Sequence, residues 1–214
     1  MQKNKITIAA LLAAVLLGSL TACGSKGGSD SKTETTTTAV SAASQAEETE
    51  PAETENTIEK TPGSYADGVF DCEYYSVTVD ESKWQYTDGS DMDCQFNYIG
   101  KPEDELYSAS SLNVASFPEE KLEGITIDDY AEQIITAYKD NEGYEVSQKE
   151  AELDGTKGVE ITINFPMGDS RMTIKQLVAE KNGAVIAVSY GAVDDVYDKM
   201  QKQFDKVIGG IKLK

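Results

Sequence analysis

The sequence predicts an α+β domain in which a single antiparallel β-sheet is packed by helices. Three observations lead to this prediction. Runs of alternating apolar and polar residues dominate the chain from Val69 onward, Asp-Gly and Asn-Gly pairs separate several of these runs, and two segments carry apolar residues at intervals of three and four. Strands, one helix, more strands and a closing helix form an order typical of a layered α+β fold.

The strands before the first helix come from period-two patterns rich in β-branched and aromatic residues. Tyr75, Val77 and Val79 share one parity, and so do Cys94, Phe96 and Tyr98. The predicted strands cover residues 69–79, 83–86, 93–99 and 108–117.

Two amphipathic segments predict helices. Thr126 is a good N-cap, with acidic residues in the turn that follows it, and the pattern ends near Gly143. A second helix is predicted over residues 193–208, with Asp194 and Asp195 in its first turn.

Four strands are predicted between these helices. They cover residues 144–153, 158–165, 171–180 and 184–190, and Asp154-Gly155 and Asn182-Gly183 separate two of the pairs. These dipeptides are strong hairpin signals, so we expect an antiparallel meander.

The N-terminus predicts export. Lys3 and Lys5 precede an apolar run that ends at Leu20-Thr21-Ala22-Cys23, which resembles a lipobox. The resemblance implies cleavage before Cys23 and acylation of its thiol, so that acyl chains hold the protein at the extracytoplasmic face of the cell membrane. Two or three chains suffice, because each buried CH₂ contributes about 0.8 kcal/mol.

The composition divides the chain into three parts. A signal peptide is expected over residues 1–22, a lipidated cysteine with a Ser/Thr/Glu-rich tether over 23–62, and the folded domain over 63–214. The tether composition cannot bury enough apolar surface to fold, and a flexible chain of this length reaches about 30–40 Å. We expect it to act as a spacer.

The charge balance restricts the partners. Against 38 acidic residues the chain has 19 basic ones, a formal net charge of -19. Nucleic-acid binding is therefore not expected, because it requires clustered Lys and Arg. The acidity serves either solubility or a face that binds a partner.

The chain lacks the residues of most catalytic sites. It contains no histidine, no Walker loop and no G-x-S-x-G motif. We expect no enzymatic activity, no cofactor and no metal of the histidine or four-cysteine type. A hydrolase that uses carboxylates alone stays open as the weakest alternative.

Three groups are candidate sites. Cys72 and Cys94 lie on two early strands and form either a disulfide or two buried thiols. Asp88, Asp91 and Asp93 form an acidic loop that either binds a cation such as calcium or is a solvated turn.

Aromatic residues cluster in the early strands, namely Trp84, Tyr86, Tyr98 and Tyr107. Such residues line binding grooves or fill cores, and on strands the core is the commoner place.

The pattern of the domain resembles the PsbP-like superfamily. The residues that carry the resemblance are Tyr75-Ser76-Val77-Thr78-Val79 with Lys83-Trp84, Ser111-Leu112-Asn113-Val114, Tyr130-Ala131, Asp154-Gly155 and Phe204-Asp205-Lys206-Val207-Ile208. The resemblance implies an α-β-α sandwich that binds or assembles other proteins. We therefore expect a non-enzymatic module that acts with an envelope protein; the alternative is a binder of small molecules or cations.

Overall fold

The computed structural model describes residues 60–88, 92–101, 103–122 and 124–214, and within them it shows an α+β fold. The elements in chain order are β1 (Gly63–Ala66), β2 (Val69–Cys72), β3 (Tyr75–Thr78), β4 (Trp84–Thr87), β5 (Cys94–Tyr98), α1 (Glu105–Ser108), β6 (Ser111–Pro118), a 3-10 turn (Glu119–Lys121), α2 (Ile127–Tyr138), β7 (Glu145–Leu153), β8 (Thr156–Met167), β9 (Ser170–Lys181), β10 (Ala184–Val193), α3 (Asp194–Gly209) and β11 (Ile211–Leu213). The predicted fold class is confirmed.

The strands form two sheets, so the prediction of a single sheet is wrong. A seven-stranded sheet has the order β4-β5-β6-β10-β9-β8-β7, and a four-stranded sheet has the order β1-β2-β3-β11. The meander β7 to β10 is confirmed. Asp154 and Asn182 adopt positive φ angles of 48° and 51°, as the tight turns between these strands require.

The second sheet arises where one long strand was predicted. Phe70 and Cys72 are buried at even positions, whereas Tyr75 and Val77 are buried at odd positions. A single strand would send these two sets to opposite faces. The chain instead turns back between β2 and β3, which pair antiparallel with Phe70 opposite Val77.

The large sheet is covered on both faces. Phe204 of α3 packs 5.0 Å from the Tyr190 ring and 5.8 Å from the Trp84 ring, measured between centroids. The small sheet lies on this same face, where the Tyr65 ring contacts Phe96. On the opposite face α2 places Tyr130 against Gln176.

The predicted start of α2 is confirmed in detail. The Thr126 hydroxyl accepts a hydrogen bond from the Asp129 N–H, and the Asp129 carboxylate accepts one from the Thr126 N–H. This reciprocal capping box satisfies two N–H groups that the helix leaves open. Within the described ranges, no helix has both the length and the apolar character needed to cross a membrane.

The last strand, β11, was not predicted. The Asp154 carboxylate holds it by accepting hydrogen bonds from the Leu213 N–H at 3.0 Å and the Lys212 ammonium at 2.9 Å. Lys181 donates to the Leu213 carbonyl at 3.0 Å. Two hairpin ends of the large sheet therefore clamp the C-terminus.

Candidate functional site

An open cleft of about 600 Å³ lies between the N-terminus of α2 and strands β7, β8 and β9. Its walls are formed by the N-cap and first residues of α2 and by residues of these three strands of the large sheet, namely Thr126, Ile127, Asp128, Glu150, Ala151, Glu152, Lys157, Gly158, Val159 and Glu180. We call it the acidic cleft.

Strand register brings its charged residues together. Glu150 pairs with Val159, and Glu152 pairs with Lys157, so these side chains share one face of the sheet. Val159 pairs with Val178, two residues before Glu180, which places Glu180 on that face as well. This is also the face of the large sheet against which α2 packs, through Tyr130 and Gln176.

Gly158 shapes the floor of the acidic cleft. A Cβ at this position would lie 2.0 Å from the carbonyl oxygen of Val178. Strands β8 and β9 therefore approach each other more closely than any residue with a side chain allows.

Four carboxylates and one ammonium line the acidic cleft, a formal charge of -3. Glu150, Glu152, Lys157 and Glu180 are all exposed, as is Asp128. A cleft lined mainly by charges of one sign attracts groups of the opposite sign. The arrangement therefore suits binding of a positively charged group.

Strand β7 forms one rim of the acidic cleft and one edge of the large sheet. Among the described strands it pairs with β8 alone, so one side of its backbone faces outwards. Most of its side chains are exposed, including Glu145, Lys149, Glu150 and Glu152. Charged side chains on an edge discourage unspecific strand pairing, and at the same time they select for a strand of complementary charge.

Of the three residues of the candidate cation loop, the structure describes Asp88 and Asp93. Asp91 lies outside the described residues, and Asp88 is exposed with its carboxylate 3.8 Å from the Lys60 ammonium. Asp93 is only 4% exposed and lies between the two sheets. Among the described residues no group of three or more acidic or cysteine side chains could hold a metal ion.

Protein donors already occupy the Asp93 carboxylate. Oδ1 accepts a hydrogen bond from the Thr61 N–H at 2.7 Å. Oδ2 accepts from the Ser116 N–H at 2.7 Å, the Ser116 hydroxyl at 2.6 Å and the Tyr75 hydroxyl at 3.3 Å. Burial raises the pKa of Asp93, and the hydrogen bonds from Ser116 and Thr61 oppose that rise. This carboxylate is a structural group rather than a cation ligand.

The predicted disulfide is absent, because Cys72 and Cys94 are both free thiols. Each sulfur faces a different part of Tyr75. The Cys72 thiol donates to the Tyr75 carbonyl at 3.5 Å, and the Cys94 sulfur lies 3.7 Å from the Tyr75 hydroxyl. Both cysteines are buried, which is the alternative that the sequence left open.

The aromatic residues belong to the core. Trp84, Tyr98 and Tyr107 are buried, and Tyr86 is half-buried beneath the stacked ring of Tyr65 at 4.5 Å. The groove considered for these residues is therefore not formed. Cys23, the signal peptide and the tether up to residue 59 lie outside the described residues.

The sequence did not predict that the residues of the acidic cleft form a site. Glu150 and Glu152 alternate along β7, which is a detectable sign of one charged strand face. Their meeting with Asp128 depends on how α2 packs, and no local pattern records that.

No protein-family model matches the chain, and no curated protein matches its sequence. Solved structures similar to it include LpqN of Mycobacterium tuberculosis, described as involved in cell envelope biogenesis, with 14% identity and a TM-score of 0.45 over 65% of this chain and 82% of that one. Another is the cyanobacterial PsbP of Synechocystis sp. PCC 6803, with 13% identity and a TM-score of 0.45 over 72% of this chain and 93% of that one.

Proposed function

We propose that the domain is a non-enzymatic binding module that acylated Cys23 holds at the outer face of the cell membrane. Its partner is a basic, extended segment of another envelope protein, which binds in the acidic cleft along the free edge of β7. The acidic cleft itself is the observation that supports this proposal. It joins a negative lining to backbone groups that a second strand can reach.

The charge of the acidic cleft favours a cationic partner over a neutral one. Opposite charges steer association and fix register, whereas like charges juxtaposed across an interface are costly. The strongly acidic chain excludes acidic partners on the same grounds. A segment with Lys or Arg at alternate positions would place its charges on one side, towards Glu150 and Glu152.

The geometry favours a protein segment over a metal ion. The carboxylates line a wide, open cleft, and none of the described groups has the compact ligand set that a metal requires. An extended chain can contact several carboxylates in turn and pair with the β7 backbone.

Peptide binding to the full-length protein tests the proposal. We expect a peptide of alternating Lys and Val to bind, and an otherwise identical peptide with Glu in place of Lys not to bind. The combined variant Glu150→Gln, Glu152→Gln, Glu180→Gln should weaken binding about tenfold, because exposed pairs contribute about 0.2–1 kcal/mol each. Binding should also weaken with salt.

The matched control carries the same three changes away from the acidic cleft, at the exposed positions Glu73, Glu103 and Glu142. It has the same net charge as the cleft variant, so the two separate local contacts from overall charge. Equal affinities of the two variants would contradict the proposed site, and so would equal binding of the Lys and Glu peptides.

The membrane attachment has its own test. Wild type should incorporate labelled palmitate and sediment with membranes, whereas Cys23→Ala should do neither. An unlabelled wild type, or a mutant that stays with the membranes, would contradict acylation.

A further inference from the structure

Thr61, which lies at the start of the described residues, packs against the folded domain. Thr61 is only 9% exposed, although it precedes the first strand by two residues. Its N–H donates to Asp93 at 2.7 Å, and its hydroxyl oxygen lies 2.8 Å from the Ser116 hydroxyl oxygen, within hydrogen-bond distance. Thr61 also falls within residues 23–62, the range assigned to the tether from composition.

The contacts of Thr61 reach the large sheet, whereas the strand that follows it belongs to the small one. Ser116 lies on β6, and Asp93 immediately precedes β5. Strand β1 is only four residues long, mostly exposed, and pairs among the described strands with β2 alone. Such a short edge strand is held weakly by its own ladder.

Strand β1 nevertheless covers an aromatic cluster. The Tyr65 ring stacks on Tyr86 and meets Phe96 edge-on, which joins the small sheet to the large one. If β1 frayed from its N-terminal end, these rings would lose their cover.

We propose that Asp93 is a buried latch: it fastens Thr61, which we call the root of the N-terminal segment, to the large sheet. In this way it keeps β1 in place. Hydrogen bonds to an ionised acceptor are stronger than neutral ones, and burial shields them from salt and water. The Lys60 ammonium, next to Thr61 in the chain, also pairs with the Asp88 carboxylate. At 3.8 Å, with side chains 44% and 82% exposed, that pair contributes little.

Trypsin reports the state of the latch, because the Lys60–Thr61 bond is cleavable only when Thr61 leaves its site. The measured quantity is the ratio of cleavage after Lys60 to cleavage after Lys175. Lys175 lies in β9, so cleavage there requires the sheet to open. In the full-length protein Asp93→Asn should raise this ratio roughly tenfold, in keeping with the loss of hydrogen bonds to a charged acceptor. Mass spectrometry identifies the fragment that begins at Thr61.

A second Asp–Ser cluster supplies the matched control. The Asp80 carboxylate accepts hydrogen bonds from the Ser82 N–H at 3.1 Å and the Ser82 hydroxyl at 2.6 Å, but it is exposed and distant in sequence from Thr61. Asp80→Asn should leave the ratio at the wild-type value. Should Asp93→Asn fail to fold, Thr61→Val, which removes only the hydroxyl contact, should raise the ratio by a smaller factor.

An unchanged ratio in both Asp93→Asn and Thr61→Val would overturn the latch. So would an equal rise in cleavage after Lys60 and after Lys175, because Asp93 would then stabilise the whole fold and not the root in particular. The peptide-binding test of the acidic cleft is independent of either result.

Discussion

Truncation of Leu112 should be among the most damaging single changes in the core. Leu112 is 0% exposed on β6, the third strand of the large sheet. It pairs with Phe96 on one side and with Tyr190 on the other, on the face that the small sheet and α3 cover. Two rigid aromatic neighbours limit how far the site can collapse around a cavity.

The expected loss follows from complete burial. Leu→Ala changes in cores cost about 2–5 kcal/mol, with larger values where the cavity stays open. We therefore expect Leu112→Ala to lose about 3–5 kcal/mol. For a domain of this size that corresponds to a fall in Tm of roughly 6–20 °C.

Leu106→Ala is the matched control, since it removes the same atoms at a position that is 43% exposed. Its effect should stay within about 0.5 kcal/mol. Urea unfolding followed by tryptophan fluorescence measures both variants, because Trp84 is the single tryptophan and is 2% exposed in the folded state. A loss below about 1 kcal/mol for Leu112→Ala, at an unchanged m-value, would refute the packing described above.

Two more predictions concern the C-terminal clamp and the thiols. The hydrogen bond from Lys212 and the N–H of Leu213 lower the pKa of Asp154, so its carboxylate stabilises the fold at neutral pH and that contribution is lost as pH falls through the lowered pKa. The Tm difference between wild type and Asp154→Asn should therefore shrink below about pH 4, and a constant difference would contradict the clamp. Burial raises the pKa of the Cys94 thiol, and Cys72 is also buried, so without reductant both should react with iodoacetamide only after urea is added. A Cys72–Cys94 cross-linked peptide in a non-reducing digest would contradict the free thiols and show that the two cysteines form a disulfide.

Local signals predicted the elements that depend on neighbouring residues. Thr126 and its acidic first turn gave the start of α2, and the Asp-Gly and Asn-Gly pairs gave two hairpins of the meander. These features depend on a few successive dihedral angles and caps, so sequence patterns record them directly.

Features that join distant segments could not be predicted in this way. Strand β11 pairs with β3, with Leu213 opposite Tyr75, across most of the chain. Its three residues carry too short a pattern to register as a strand. The parity change between Cys72 and Tyr75 is visible in the sequence, and it marks the place where the chain divides into β2 and β3.

Asp93 shows why acidic loops mislead. Its neighbours in sequence predict a solvated turn, but its oxygens face donors from Thr61, Tyr75 and Ser116, which come from three separate segments. A buried carboxylate is tolerated only when such donors converge. That convergence is a property of the fold, so composition alone could not reveal it.

Thr61 contacts the large sheet close to one of the two ends of its strands, which we call the near end. Ser116 pairs with Ile186 close to the hairpin at Asn182, whereas Ile99 follows β5 at the opposite end, about 20 Å further along at 3.3 Å per residue. The acidic cleft lies at the near end, on the other face. The proposed partner of the acidic cleft would therefore lie at the same end of the large sheet as Thr61, on the opposite face.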